Sequence, residues 1–182
     1  MQPSEPGAKS ARRTPGIMQQ DRPVNGTSRE LLYAGGANST AEFTGAVRLW
    51  QGDKGETVIQ ADTISIDSAT GNLAAQGSVL SMMAVQDTNP TTKLQETTRS
   101  TGQAQQMAYD DALRKITYGT KARLVGAQGD LTAETIVLTL GANSQEVERL
   151  EATQGVTLKE SDRVTIGDHL TYVASTAEYN MA

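Results

Sequence analysis

The stretch Ile59-Gln60-Ala61-Asp62-Thr63-Ile64-Ser65-Ile66 carries the pattern from which the fold is read. Apolar and polar residues alternate along it, as on a strand with one buried face. Midway the parity changes. Ile59 and Ala61 share one face, whereas Ile64 and Ile66 fall on the opposite one. Leu131 and Ala133, followed by Ile136 and Leu138, repeat the change. A one-residue slip turns an apolar face towards water unless a bulge absorbs the extra residue. Each such step is therefore expected to be a bulge or corner in a long strand. Rows of corners bend a sheet into a curled sheet or jelly roll rather than a flat open one.

The step belongs to a repeat, whose pattern is small, polar, polar, apolar, any, apolar or Tyr. Its copies are Ser28 to Tyr33, Ala61 to Ile66, Ala104 to Tyr109, Ala133 to Leu138 and Gly167 to Tyr172. Between copies lies a glycine followed by an apolar strand: Gly45 to Leu49, Gly77 to Leu80, Gly119 to Leu124 and Gly155 to Leu158. Each unit thus reads as two strands joined by turns, and the set as about ten strands. Gly52-Asp53-Lys54-Gly55 and Ala69-Thr70-Gly71-Asn72 have the residues of tight hairpin turns. The last copy runs to Tyr179-Asn180-Met181-Ala182 and stops where the next glycine strand should begin. This reads as a chain cut there, or as a last strand supplied by a neighbour. Helical periodicity is weak, and Tyr109 to Ile116 is the best candidate for a helix.

Two segments stand outside the repeat. Residues 1–23 hold Pro3, Pro6, Pro15 and Pro23 with few large apolar residues, and read as a disordered tail before a domain spanning 24–182. Residues 86–103 are rich in Thr and Gln and contain Asn89-Pro90, and read as an inserted exposed loop. Charge separates along the same line. Residues 1–29 carry a net +3 and the remainder a net −8, within an overall −5. So acidic a body is a poor surface for nucleic acid. The arginines of the tail read as a solvated linker, with attraction to an anionic membrane as the sharper alternative.

Chemistry is sparse. The 182 residues include no cysteine and one histidine, which excludes disulfides, thiolate sites and any site needing two imidazoles. No apolar run reaches the ~18–20 residues of a membrane-spanning helix. His169 reads as a surface residue rather than a general base. Asp62, Glu134 and Asp168 share one repeat position. They could ligate calcium in a stacked array, but each stands alone, and solvating a turn or accepting backbone donors is the better reading. Asp110-Asp111 points to opposite faces and makes a poor acid/base pair. Gly126-Ala127-Gln128-Gly129-Asp130 precedes a strand and offers no helix N-terminus to a phosphate. No catalytic constellation, metal site or cofactor motif is expected. What remains is the sheet, an aliphatic surface with one Phe and one Trp, which is either an ordinary core or a groove for aliphatic chains.

Phe43-Thr44-Gly45-Ala46-Val47, then Trp50-Gln51-Gly52, then Ile59-Gln60-Ala61-Asp62, resembles the opening of the LptA or OstA-like family of lipopolysaccharide-transport periplasmic bridge proteins. Ala104 to Tyr109, Gly119 and Gly167-Asp168-His169-Leu170-Thr171-Tyr172 resemble its later segments. The resemblance covers about residues 24–181. It implies an all-β fold, an incomplete β-jellyroll or β-taco, whose members stack end to end and carry lipid acyl chains in an apolar interior. It further implies that Phe43, Val47, Leu49, Ile64, Ile66, Val79, Leu124, Ile136, Leu138, Val156, Leu158, Leu170 and Tyr172 line that interior. The expected partners are lipopolysaccharide, through the acyl chains of lipid A, and other jellyroll components of the bridge, including copies of this chain, by head-to-tail pairing of edge strands. The periplasmic location comes from the resemblance, since no leader pattern opens the sequence. The inner-membrane-anchored partner and the N-terminal domain of the outer-membrane translocon share the fold, so the component stays open. A self-assembling β-solenoid scaffold without lipid is the alternative. A carbohydrate-active β-helix enzyme would need clustered carboxylates, and this chain spaces them a repeat apart.

Overall fold

The computed structural model describes residues 13–36, 39–52, 56–88, 92, 94–127, 129–142 and 146–182. Among them the regular elements are all strands: β1 (Asn25–Thr27), β2 (Glu30–Ala34), β3 (Thr40–Gln51), β4 (Thr57–Asp67), β5 (Leu73–Thr88), β6 (Gln95–Asp110), β7 (Lys115–Gly126), β8 (Gly129–Leu140), β9 (Val147–Lys159), β10 (Val164–Val173) and β11 (Glu178–Met181). They form one antiparallel sheet in which β3 to β11 follow sequence order, each strand pairing the next. Both β1 and β2 pair with β3, on Arg48 to Trp50 and on Thr40 to Thr44 respectively. They are one edge strand broken at Ser28-Arg29, so the first repeat unit contributes two short strands rather than one.

The break lies on a row of bulges that crosses the sheet. Thr44 pairs with Thr63 and Val47 with Ala61, leaving Gly45 and Ala46 opposite Asp62 alone. Gly77 and Ser78 stand opposite Gln105, Thr120 and Lys121 opposite Glu134, and Gln154 and Gly155 opposite Asp168. In all four pairs both residues have positive φ: 84° and 49°, 80° and 48°, 63° and 55°, 67° and 62°. The expected corners therefore exist, but the extra residue sits in the glycine strand facing the small-polar-polar step. Because that strand gains a residue, it keeps its parity. Its partner changes parity, and both stay apolar on the same side. Ile59, Ala61 and Ile64 of β4 are all buried, as are Leu131, Ala133, Ile136 and Leu138 of β8.

The acids at the shared position close the bulges. The Lys121 amide donates to Glu134 Oε2 at 3.4 Å and the Gly155 amide to Asp168 Oδ1 at 3.3 Å. Successive left-handed residues turn their amides to one side, where an anion is well placed. Asp62 lies so close to Gly77 that a Cβ there would fall 2.2 Å from its Oδ2. The bulges divide every long strand into two halves. The half-sheets fold towards each other with their apolar sides inward, and one buried cluster from Val47 through Leu170 lies between them.

Two expectations give way. Tyr109 to Ile116 is no helix: β6 ends at Asp110, a turn follows, and β7 starts at Lys115. Tyr109↔Ile116 is a cross-strand pair, and both side chains are buried. Residues 86–103 are not a loop. They extend β5 and β6 into a hairpin paired out to Thr88↔Gln95, well past the ends of β4 and β7; Asn89-Pro90 lies outside the described residues. Of the segment read as tail, residues 1–12 lie outside the described residues, and within Arg13 to Pro23 the side chains of Ile17 and Met18 are buried. The 69–72 turn forms as expected, with Gly71 at φ 81°, whereas Asp53 to Gly55 lies outside the described residues. At the far edge, Glu178 to Met181 does begin a further strand, pairing with Val173 to Leu170.

Substitutions in one bulge separate its conformational demand from its contacts. Gly77→Val should cost about 2–3 kcal/mol in urea denaturation, from left-handed strain and collision with Asp62. Ser78→Gly should be neutral or stabilising by up to about 1 kcal/mol, since it only relieves a left-handed non-glycine.

Candidate functional site

The two half-sheets do not close on each other evenly. Near β3 to β6 the space between them is filled. Ile64, Leu73, Met107 and Tyr109 are fully buried there, together with Met18. Tyr118 spans the gap: its hydroxyl meets Ser81 Oγ at 2.7 Å on the opposite half. Gly102 makes room for it, since a Cβ there would lie 2.5 Å from the ring. Burial pushes the Tyr118 hydroxyl up to about 12, against a small opposing effect of the Ser81 hydrogen bond.

Towards β7 to β10 the filling thins and a cavity of about 1080 Å³ opens. Leu124, Leu131 and Leu158 form one wall, and Leu138, Leu150, Leu170 and Tyr172 the other. Val85, on the projecting β5–β6 hairpin, lines it as well. The mouth runs between the hairpin ends, with Gly126, Ala127 and Gly129 on one lip and Glu146, Glu148, Arg149, Ala174, Ser175 and Ala177 on the other. Arg149 is paired with Glu151 at 2.8 Å. The walls are therefore aliphatic and the lip is polar, an arrangement suited to a molecule with long apolar chains and a hydrated end.

All thirteen residues expected to line the interior face inward. Val47, Leu49, Ile64, Val79, Leu124, Ile136, Leu138, Val156, Leu158 and Leu170 are buried, and Phe43, Ile66 and Tyr172 pack half-buried against them. The structure divides the set. Leu124, Leu138, Leu158, Leu170 and Tyr172 line the cavity, whereas Phe43, Val47, Leu49, Ile64, Ile66, Val79, Ile136 and Val156 belong to the packed region. Leu131, Leu150 and Val85 were missed. Leu131 stands two residues before Ala133, as Ile59 does before Ala61, and could have been found from that parity; Leu150 and Val85 fall outside the repeat copies and the glycine strands, Val85 one residue before the segment read as a loop. His169 is exposed on β10, 3.3 Å from the Thr171 hydroxyl, on the outer side of the sheet.

The sequence model of a family described as LptA/(LptD N-terminal domain) LPS transport protein matches residues 24–139. No curated protein sequence matches the chain. Among solved structures the fold is similar to LptH from Pseudomonas aeruginosa, described as the LptA homologous periplasmic component of the conserved lipopolysaccharide transport device. The similarity has a TM-score of 0.55 at 12% identity and covers 81% of this chain and 95% of that one.

Tyr118 gives the packed region a pH signature. A raised tyrosine pKa means that the unfolded chain ionises first, so the contribution is intact below pH 10 and is lost as pH rises from 10 through about 12. Tyr118→Phe should therefore lose less stability between pH 9 and pH 11.5 than the parent does, by on the order of 2 kcal/mol. Urea titrations at the two pH values measure this.

Proposed function

Because the chain belongs to the family of LptA and the LptD N-terminal domain, the lipopolysaccharide transport proteins, we propose that its groove shields the acyl chains of lipopolysaccharide crossing the periplasm. The observation that carries this reading is the leucine-walled cavity open along one side of the bent sheet. Each methylene moved from water into it gains about 0.8 kcal/mol, so acyl chains supply ample affinity without a specific polar contact. The polar lip leaves the sugar and phosphate end in water. The work is binding and hand-over, and the periplasmic setting follows that of LptH.

The sheet edges supply the partner contacts of this reading. On one edge β2 exposes Leu31, Leu32 and Tyr33. On the other, Val164 and Ile166 of β10 are exposed. Edge strands of this kind pair readily with another sheet. Head-to-tail pairing between copies, or with other components of the transport bridge, would join the grooves into one conduit. A dry self-assembling scaffold would use the same edges, but has no need of an open cavity.

A photo-reactive amino acid at Leu138 or Leu170 should crosslink to added lipid A, while one at outward-facing Glu134 should not. Equal labelling at all three positions, or none at Leu138 and Leu170, would sink the proposal.

A further inference from the structure

The segment from Arg13 to Arg22 lies across the open side of the bent sheet at its β3–β6 end. Its anchors alternate between the two lips. The Arg13 amide donates to the Ser68 carbonyl at 3.0 Å, in the β4–β5 turn. The Gly16 amide donates to Asp111 Oδ1 at 2.8 Å, in the β6–β7 turn. Both turns end the same half-sheet. On the other half, Gln51 at the end of β3 accepts from the Gln19 amide at 2.6 Å and donates to the Gln19 and Arg22 carbonyls at 2.7 and 2.8 Å. Arg22 then pairs with Glu56 at 2.6 Å. Between the anchors the backbone tightens, the Met18 amide meeting the Pro15 carbonyl at 2.8 Å, and Ile17 and Met18 turn inward.

Met18 is wholly buried and Ile17 nearly so, within the same apolar cluster as the groove walls. Beside them a second cavity of about 390 Å³ has Gly16 to Asp21 as one wall and Met83, Val85, Leu138, Leu140 and Val147 opposite. Val85, Leu138 and Val147 also line the main cavity. The two cavities thus share walls, and the strap occupies the continuation of the groove.

We infer that residues 13–22 are a built-in competitor for the groove, a strap whose Ile17 and Met18 side chains occupy space that a long acyl chain would otherwise fill. The inference rests on the groove reading above. The anchoring favours exchange. The strap is held by a few hydrogen bonds, one exposed ion pair and two apolar side chains, and an exposed pair of this kind is worth about 1 kcal/mol or less. An acyl chain entering from the β7–β10 end can take over the apolar contacts of Ile17 and Met18. In the closed state the strap shortens the usable groove, and its release lengthens it. A ligand binding only the released state sees its affinity reduced by the fraction of molecules released.

The native chain has no cysteine, so a disulfide can lock the strap cleanly. In the full chain carrying Gly16→Cys and Asp111→Cys, the oxidised form should bind a long-chain fatty acid bearing an environment-sensitive fluorophore at least about fivefold more weakly than the reduced form. A dithiol should restore binding. In the opposite direction, Ile17→Ser with Met18→Ser should raise affinity by a similar factor, its far-UV spectrum showing that the sheet persists. Equal affinity of the oxidised and reduced forms, with lipid A still crosslinking at Leu138, would overturn the strap and leave the groove standing. Failure of every form to bind the fatty acid, with no crosslink at Leu138, would overturn both.

Discussion

The structure depends on the requirement that a strand crossing a sharp bend keep its apolar side chains on one side. Alternation alone cannot do this, because a strand turned through a corner carries its next side chain to the wrong face. The chain meets the requirement by setting two left-handed residues against one, in β3, β5, β7 and β9. The cost of left-handed backbone at Ala46, Ser78, Thr120, Lys121 and Gln154 is offset by the burial that the bend permits. An acid across the ladder at three of the four bulges faces the amides or glycine that the left-handed pair presents. Aligned in one row, the bulges crease the whole sheet, so that a single sheet provides both layers of its core.

A sheet folded in this way is filled only as far as its side chains reach. Tyr118 works as a strut, its length matched by the absence of a side chain at Gly102 and its hydroxyl satisfied by Ser81. Without that partner the buried hydroxyl would cost ~1–3 kcal/mol. Beyond the strut, towards β10, the inward residues are mainly leucines and alanines, and facing walls do not meet. The cavity is the region where an aromatic-poor composition no longer spans the gap. An apolar cavity forgoes dispersion contacts along its lining, and that loss is what a lipid chain would recover. Groove and core are two ends of one space, and the strap lies across its β3–β6 end.

The repeat made much of this legible. Parity in Ile59 to Ile66 and Leu131 to Leu138 showed that the strands are creased and which side chains face inward, because side-chain direction on a strand follows from position alone. The parity change pointed to the bulges but placed them at the small-polar-polar step; that the facing glycine strand carries the extra residue depends on the pairing register. The lone acids at the shared position were legible as solvating a turn or accepting backbone donors, and Glu134 and Asp168 do the latter. Tyr109 to Ile116 misled because a turn of Asp, Ala, Leu and Arg lacks the glycine and proline by which turns are recognised, Arg114 taking the left-handed position instead. Residues 86–103 misled because a strand of Thr and Gln has no apolar alternation; it is held by its partner's backbone.

The sequence by itself determined the two-strand unit, the crease and the aliphatic character of the inward face, since these follow from local periodicity and from residues that tolerate positive φ. Only the tertiary structure decided which inward residues are packed and which line open space. Val156 and Leu158 lie on one strand with the same parity, yet one belongs to the core and the other to the cavity. The difference is set by the distance to the facing half-sheet, which no residue encodes alone. The course of Arg13 to Arg22 was likewise a tertiary outcome. Its proline-rich composition cannot support a core of its own, but two apolar side chains need only a groove that other residues have already built.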